Sequence, residues 1–341
     1  MTKRKQLIWQ IPFLILLIVG TVLIIRQQHN MPYIKNQGEI FGTMYHVTYQ
    51  SDQDLHKEIK EALDAVDNSL SPFNPHSIIT KVNNNEDVTV DKMFTDVFRI
   101  SQQVSKDTRG AFDITVAPLV NLWGFGFKKG ETPDEHAVDS LLQLVGHEKV
   151  TLDGRGHVHK SDHRVMLDCS AVAKGYGCDV VASVLGRHDI QNYMVEIGGE
   201  IVTRGVNESR LPWRIGVNRP TEDPLQTSQE LQTILNVTDK AMATSGNYRN
   251  FYYKDGKKYA HTIDPKSGRP VQHSLLSATV LADNCATADA YATSFMVMGM
   301  ESAKEILANH PELMAYFIYT DNDGEYAVWF SPSLKGKIVG D

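Results

Sequence analysis

The chain is poor in cysteine. Its 341 residues include only Cys169, Cys178 and Cys285. This odd number, without the close pairing of a zinc site, argues against a disulfide framework and against a cysteine metal centre. No cysteine lies near the N-terminus, which excludes the lipid attachment of a bacterial lipoprotein.

Basic residues are scarce once the first 30 positions are set aside. Residues 1–30 hold 4 of the 34 Lys and Arg and none of the 41 Asp and Glu. The remainder has 30 basic against 41 acidic residues, a net charge of −11. Because nucleic-acid binding depends on Lys and Arg neutralising phosphates, the composition argues against it. An anionic ligand must be held locally, for example through a metal ion.

A long uncharged run occupies the N-terminal region. Lys3, Arg4 and Lys5 precede Ile8–Ile25, whose 18 residues are enough to span a bilayer. The bulky, polar residues that follow lack the small-x-small cleavage site of a signal peptide. We therefore expect an uncleaved single-pass anchor in a bacterial inner membrane, with the rest of the chain facing the periplasm. A signal peptide with a weak cleavage site is the alternative.

Strand-like and helical patterns mix irregularly after the linker. Residues 42–50 alternate as a strand, and short β-rich runs dominate from residue 149 onward. Spacing and capping signals predict helices near 55–70, 91–108, 171–187 and 285–299. The absence of regular βαβ units favours an α+β fold.

These patterns divide the chain into four parts. The predicted parts are an N-terminus with its anchor over 1–30, a linker over 31–39, one large domain over 40–335 and a tail over 336–341.

The stretch "DNCATADAYATSF" (283–295) sets an acid and a hydroxyl four residues apart among small side chains. Asp289 and Thr293 therefore share one helix face. Two such oxygens form half a site for Mg²⁺, which takes few protein ligands and completes its shell with water and phosphate oxygens. Close helix packing also explains a small-residue helix, and from this stretch alone packing is the better explanation.

Three further segments are richer in acids, hydroxyls or histidine than a core requires. Asp113 lies in the strand-like apolar run 110–127 and is either a structural cap or a ligand contact, the cap being favoured. In "LDCSAVAKGYGCD" (167–179), Asp168 and Ser170 precede a helix that carries Lys174, so this helix start either is simply capped or binds an anion. His261, ahead of the turn "DPKSG", is a candidate general base, although a lone histidine is more often structural.

Taken together and in order, these segments resemble the ApbE family, the FAD:protein FMN transferases. The resemblance covers roughly residues 40–335. It rests on "GTMY", "SPFNPHS", "GAFDITVAPLVNLWGFG", "DCSAVAKGYGCD", "VEIGGEI", "TSGNYRNF", "HTIDPKSGRP" and "ATADAYATSFMVMG". Each motif is weak by itself, whereas the ordered set is specific.

The resemblance implies a fold, a reaction and a set of site residues. The fold is T-fold-like, with mixed, largely antiparallel sheets and flanking helices. The reaction transfers FMN from FAD to a Thr or Ser hydroxyl of a target protein through a phosphoester, releases AMP and requires Mg²⁺. Asp289, Thr293 and the carbonyl of Ala171 match the metal ligands, and His261 and Asp289 are the catalytic candidates. The positions that match FAD contacts are Met44, Phe73, Ala111, Phe112, Asp113, Asp168, Lys174 and Ile263.

The expected acceptors resemble those of the family: flavin-carrying subunits of membrane redox pumps with a Ser/Thr-Gly-Ala-Thr motif. Hydrolysis of FAD to FMN and AMP is a second possibility, with water replacing the acceptor hydroxyl. Storage of FAD without chemistry is a third, and the Asp289–Thr293 pair argues against it. Two departures from the family pattern are notable. Cys169 replaces a usual apolar residue and is expected to be a packed thiol, and the Ile8–Ile25 run replaces the lipoprotein anchor of many relatives.

Overall fold

An eight-stranded antiparallel sheet forms the centre of the fold. The computed structural model describes residues 10–22, 31–125, 133–220, 230–247, 251–254 and 257–339. The strands are β1 (Tyr33–Ile40), β2 (Thr43–Gln50), β3 (Val150–Leu152), β4 (Val158–Lys160), β5 (Tyr193–Ile197), β6 (Glu200–Arg204), β7 (Trp213–Asn218), β8 (Leu231–Val237), β9 (Ala241–Gly246), β10 (Phe251–Lys254), β11 (Lys257–Ala260), β12 (Ile263–Asp264), β13 (Arg269–Pro270), β14 (Leu275–Ala282), β15 (Met314–Thr320) and β16 (Tyr326–Phe330). The central sheet has the order β1-β2-β5-β6-β9-β14-β15-β16, and two-stranded sheets pair β3 with β4, β7 with β8, β10 with β11 and β12 with β13.

Helices flank this sheet. Residues 10–22 form α1, and the others are α2 (His56–Leu70), α3 (Ile78–Asn83), α4 (Lys92–Asp107), α5 (Ala117–Leu122), α6 (Glu135–Leu142), α7 (Ser170–Arg187) and α8 (Cys285–Asn309). Short 3₁₀ helices occupy Ile114–Val116, His147–Lys149 and Pro332–Lys337. The α+β prediction with antiparallel sheets and flanking helices is confirmed.

Only part of the predicted membrane span lies within the residues that the structure describes. Within the described ranges, no helix is both long enough and apolar enough to cross a bilayer. The two ends of the run Ile8–Ile25 lie outside the described residues, so the span stays a prediction.

Both faces of the central sheet are covered. In β14, Ala278, Val280 and Ala282 belong to the core beneath the helices, whereas Leu281 belongs to a second core on the opposite face. The second core is completed by the β7–β8 hairpin and by Leu334 of the C-terminal 3₁₀ helix. A strand covered on both faces is largely apolar rather than alternating. β14 accordingly carries no charged residue, and its two polar residues, Ser277 and Thr279, are buried.

Helices α7 and α8 approach each other unusually closely. A Cβ atom added to Gly175 would lie 2.4 Å from the carbonyl oxygen of Cys285. Ala286, Ala288, Ala290 and Ala292 of α8 are almost completely buried. The packing explanation for the small-residue helix is therefore correct. Helix α8 also continues past its predicted end at residue 299, where Gly299 has a non-helical backbone with φ of 77°.

Two sequence-based assignments are wrong. The linker predicted over 31–39 is largely strand β1, which pairs with β2 through a two-residue turn at Phe41 and Gly42. The strand-like run over 110–127 is not a strand in its described part, which forms the 3₁₀ helix Ile114–Val116 and then α5. Asp113 caps this 3₁₀ helix, and Pro118 in the first turn of α5 favours helix initiation.

The close helix contact generates a stability prediction. Gly175→Ala should lower the free energy of unfolding by about 1–3 kcal/mol, because the added methyl meets backbone atoms of α8 that cannot rotate away. Gly186→Ala is the matched control, since Gly186 lies exposed on the same helix with no atom within 4 Å of an added Cβ. The control should gain up to about 1 kcal/mol from helix propensity. Denaturant unfolding of both variants is the measurement, and equal effects at the two positions would contradict the packing account.

Candidate active site

A cavity of about 420 Å³ opens where the α7–α8 pair meets the sheet. Its walls come from the first turn of α7, the middle of α8, the β5–β6 turn, the end of β9 and the segments around residues 113 and 262. The sequence-predicted residues on these walls are Phe73, Ala111, Phe112, Asp113, Asp168, Ala171, Lys174, His261, Ile263, Asp289 and Thr293. Segments far apart in the chain thus converge on one cavity.

Met44 is the exception. It lies in β2 just after the β1–β2 turn, is 40% exposed and does not line the cavity. Its backbone carbonyl accepts a hydrogen bond of 3.1 Å from the N–H of Gly198, which does line the cavity. In this structure the contribution of Met44 to the cavity is therefore indirect.

Asp289 and Thr293 both face the cavity from α8. The N–H of Gly175 donates to Asp289 Oδ2 over 3.1 Å, across the closest approach of the two helices. Burial raises the pKa of Asp289, and the Lys174 ammonium and the Gly175 N–H oppose this rise. The carboxylate is thus held at the base of the cavity, with the Thr293 hydroxyl one helical turn away.

Lys174 forms an ion pair that the sequence did not reveal. Its Nζ lies 2.7 Å from Oε2 of Glu200, whose side chain is only 2% exposed. Both residues line the cavity. The signal in the sequence was the second acid of "VEIGGEI", Glu200, which follows a glycine pair.

The start of α7 combines capping with exposure to the cavity. Asp168 Oδ1 accepts a hydrogen bond of 2.8 Å from the N–H of Ser170, and the Asp168 N–H donates to the carbonyl of Ile114 over 2.7 Å. Ala171 follows in the first helical turn and also lines the cavity. Asp168, one residue before the N-cap Cys169, therefore accepts from the first N–H group of α7 and also borders the binding space.

Asp113 has a clear structural role. Its Oδ1 accepts hydrogen bonds from the N–H of Thr115 at 2.8 Å and from the Thr115 hydroxyl at 2.6 Å. Burial raises the pKa of this carboxyl group. These contacts agree with the favoured sequence interpretation of a cap, on a residue that also borders the cavity.

His261 also lines the cavity, next to Phe125. The two rings meet edge to face, with their centroids 6.4 Å apart. Thr244, Ser245 and Gly246 at the end of β9 also border the cavity. They belong to the motif "TSGNYRNF", of which residues 248–250 lie outside the described residues.

The oxygen groups at the cavity base suit a hard cation. Among the residues that the structure describes, no cluster of three or more His, Cys, Asp or Glu forms a metal site. The predicted ligands are instead one carboxylate, one hydroxyl and one carbonyl, from Asp289, Thr293 and Ala171. Mg²⁺ accepts such a sparse set of oxygens because water and phosphate complete its octahedral shell. The residues present therefore fit this ion.

A second cavity of about 580 Å³ adjoins the first. Phe73, Ser170 and Lys174 line both. The side chain of Phe73 is 65% exposed between them, available to a flat ring. The two cavities therefore share part of their lining.

The three cysteines are free and buried. Cys169 packs in the core beneath the helices, and burial raises the pKa of its thiol. A buried thiol that resists ionisation is a poor nucleophile. This environment agrees with the expectation of a packed thiol at Cys169.

Fold and cavity together define an α+β protein whose binding site lies between a helix pair and the end of an antiparallel sheet, with ionisable and hydroxyl groups at its base. The sequence profile of the ApbE family matches residues 41–317. The FAD:protein FMN transferase of Escherichia coli strain K12 is 32% identical over 318 residues, covering 89% of each chain. The Haemophilus influenzae protein of the same name is 36% identical over 311 residues, covering 86% of this chain and 89% of the relative.

Solved structures show the same likeness. The flavin transferase ApbE from Vibrio cholerae superimposes with a TM-score of 0.80 at 34% identity, covering 90% of this chain and 99% of that one. The apo form of the Pseudomonas stutzeri flavinyl transferase ApbE gives a TM-score of 0.81 at 28% identity, covering 91% and 98%. This chain belongs to the ApbE family.

One residue that sequence reasoning missed fixes the start of α8. Asp179 of α7 accepts hydrogen bonds from the N–H groups of Cys285 at 2.7 Å and Ala286 at 2.9 Å. Asn284 accepts from the N–H of Thr287 at 2.9 Å, so three free N–H groups of the helix end have partners. Burial raises the pKa of Asp179 from 3.8 to about 6, against the opposing effect of these hydrogen bonds.

The raised pKa predicts a pH-dependent stability difference between the wild type and Asp179→Asn. Between pH 3.8 and about 6 the folded protein retains a proton that the unfolded chain has lost. The contribution of this group is therefore complete below pH 3.8 and is lost as the pH rises through 6. The wild-type free energy of unfolding, minus that of the non-titrating variant, should fall by about 3 kcal/mol across this range. Denaturant unfolding at a series of pH values measures it, and a difference that rises with pH would contradict the assignment.

Proposed function

We propose that this chain is a Mg²⁺-dependent FAD:protein FMN transferase. It transfers FMN from FAD to a Thr or Ser hydroxyl of a target protein and releases AMP. The observation that carries the proposal is the convergence of Asp289, Thr293, Lys174 and His261 on one cavity, in a chain of the ApbE family. Relatives that carry this activity in their names match most of the chain.

The reaction exchanges one phosphoester partner for another. The acceptor oxygen forms a bond to the phosphorus on the FMN side of the diphosphate, and the bond from this phosphorus to the bridging oxygen breaks. AMP leaves with that oxygen, and the acceptor loses its hydroxyl proton. Such displacements depend chiefly on in-line placement and on neutralisation of phosphate charge.

The residues at the cavity base would hold the metal. The Asp289 carboxylate, the Thr293 hydroxyl and the Ala171 carbonyl are its proposed ligands. When bound, Mg²⁺ supplies positive charge to the diphosphate oxygens. The carboxylate is pre-positioned for this role by the hydrogen bond from Gly175, so little reorganisation is required.

The remaining side chains divide the other tasks. Lys174 offers positive charge to a phosphate at the junction of the two cavities. His261 is the candidate base that removes the acceptor proton, since imidazole titrates near neutral pH. Phe73 is the best placed ring to cover a flat part of FAD, because Phe112 is 98% buried in the core and Met44 lies off the cavity.

The Thr293 hydroxyl allows a direct test of the proposed metal site. Thr293→Val keeps the shape and removes the oxygen, whereas Thr293→Ser keeps the oxygen. With FAD, Mg²⁺ and an acceptor domain containing Ser/Thr-Gly-Ala-Thr, the full chain should attach one FMN per acceptor. We expect at least a tenfold loss of rate in the Val variant, reversed in part by excess Mg²⁺, and near wild-type rates in the Ser variant. Intact mass of the acceptor and quantification of AMP are the measurements.

Each alternative outcome has a distinct meaning. Free FMN and AMP with an unmodified acceptor would replace the transfer by FAD hydrolysis. FAD that stays intact on the wild-type protein would leave only a binding function. Equal rates for the Val and Ser variants would remove Thr293 from the metal site.

We also propose that the Ile8–Ile25 run anchors the chain in a bacterial inner membrane, with its catalytic domain and its redox-pump acceptors on the periplasmic side. The uncharged run and the preceding Lys3, Arg4 and Lys5 support this orientation. The full chain should stay in the membrane pellet after a carbonate wash, and protease added to spheroplasts should digest its domain. A control chain without residues 1–30 should be released. Release of the full chain by carbonate would exclude the anchor.

A further inference from the structure

Glu200 is placed at the cavity by a rigid turn. The β5–β6 hairpin reverses through Gly198 and Gly199, with φ of 61° and 103°. A Cβ atom at Gly198 would lie 2.8 Å from the Thr43 side chain, so this position excludes larger residues. The Gly199 N–H also donates to Glu196 Oε1 over 2.7 Å, which ties the turn to β5. Glu200 follows immediately and has little freedom to move its backbone.

The Glu200 carboxylate is buried, and Lys174 is its partner. The ion pair spans 2.7 Å, with the Glu200 side chain 2% and the Lys174 side chain 31% exposed. A buried carboxylate is costly without a cation or hydrogen-bond donors, so the contact constrains both side chains. The long, flexible stem of Lys174 consequently has one preferred direction.

Lys174 also lies within electrostatic reach of Asp289. The two residues occupy adjacent positions across the α7–α8 contact, because Gly175, the next residue, donates its N–H to Asp289. Lys174 and Asp289 also line the same cavity. Two carboxylates of the same cavity, Glu200 and Asp289, therefore compete for one lysine.

We propose that Glu200 is a positioning residue that holds Lys174 and so keeps the Asp289 oxygens available to a divalent cation. This inference rests on the proposed function, in which Asp289 binds the metal. Without the Glu200 charge, Lys174 pairs with Asp289 and occupies the place of the cation. The Lys174–Glu200 ion pair thus explains how a lysine and a cation site coexist in one small cavity.

Mn²⁺ binding in the absence of FAD tests this role without relying on catalysis. Mn²⁺ takes oxygen ligands as Mg²⁺ does, and free Mn²⁺ is counted by electron paramagnetic resonance. We expect Glu200→Gln, in the full chain, to weaken Mn²⁺ binding at least tenfold. The double variant Glu200→Gln with Lys174→Met should return to within about threefold of the wild type, since the competing ammonium is gone. A structural role for Glu200 alone does not give this rescue.

The controls make the result decisive. Thermal unfolding identifies a variant that does not fold. If Glu200→Gln fails to fold, Glu200→Asp replaces it, because it keeps the charge on a shorter side chain. We expect Glu200→Asp to weaken Mn²⁺ binding about threefold. Unchanged Mn²⁺ affinity in a folded Glu200 variant overturns the inference, as does a loss that removal of Lys174 fails to restore. A wild type that binds no Mn²⁺ also overturns it.

The proposed function is judged separately. Failure of the wild type to transfer FMN would count against the proposed function, while the order of Mn²⁺ affinities would still decide the role of Glu200. If the inference is correct, the FMN transfer rate of Glu200→Gln should be recovered by raising Mg²⁺, whereas that of Lys174→Met should be recovered by raising FAD.

Discussion

The contact between α7 and α8 at Gly175 is the constraint on which the site depends. Only a residue without a side chain permits this approach, since a Cβ atom would lie 2.4 Å from the Cys285 carbonyl oxygen. At this distance the Gly175 N–H reaches Asp289, and Asp179 of α7 reaches the free N–H groups at the start of α8. Packing and polar placement are therefore consequences of one backbone geometry.

The same geometry explains how three buried carboxylates are tolerated close together. Asp179 is stabilised by a helix start, Asp289 by the Gly175 N–H and Glu200 by Lys174. Each carboxylate has a different hydrogen-bond or ion-pair partner, and Lys174, the partner of Glu200, also acts on Asp289. Asp179 has a structural role at the start of α8, whereas Asp289 and Glu200 border the proposed active-site cavity.

Sequence patterns predicted the elements near the site better than the contacts between them. The helix predicted near 91–108 is α4 (Lys92–Asp107), which Asp91 caps. The α8 stretch supported two explanations, and the structure confirms the packing of its alanines. Asp289 and Thr293 line the cavity, and the metal site there stays a prediction. The failures were β1, predicted as linker, and the 110–127 run, predicted as strand. Local patterns do not show that an edge strand has a partner, and they did not distinguish the 3₁₀ helix after Asp113 from a strand, although a cap at Asp113 was the favoured interpretation.

The sequence by itself determined the helix faces, the tight turns, the ordered motifs of the family and the deficit of basic charge, because each of these depends on residues close together in the chain. Only the tertiary structure decided that Lys174 pairs with Glu200, that Asp179 caps α8 and that Met44 stays off the cavity. These facts depend on the distance between α7, α8 and the β5–β6 turn. That distance is set by packing across more than a hundred residues, which no local pattern contains.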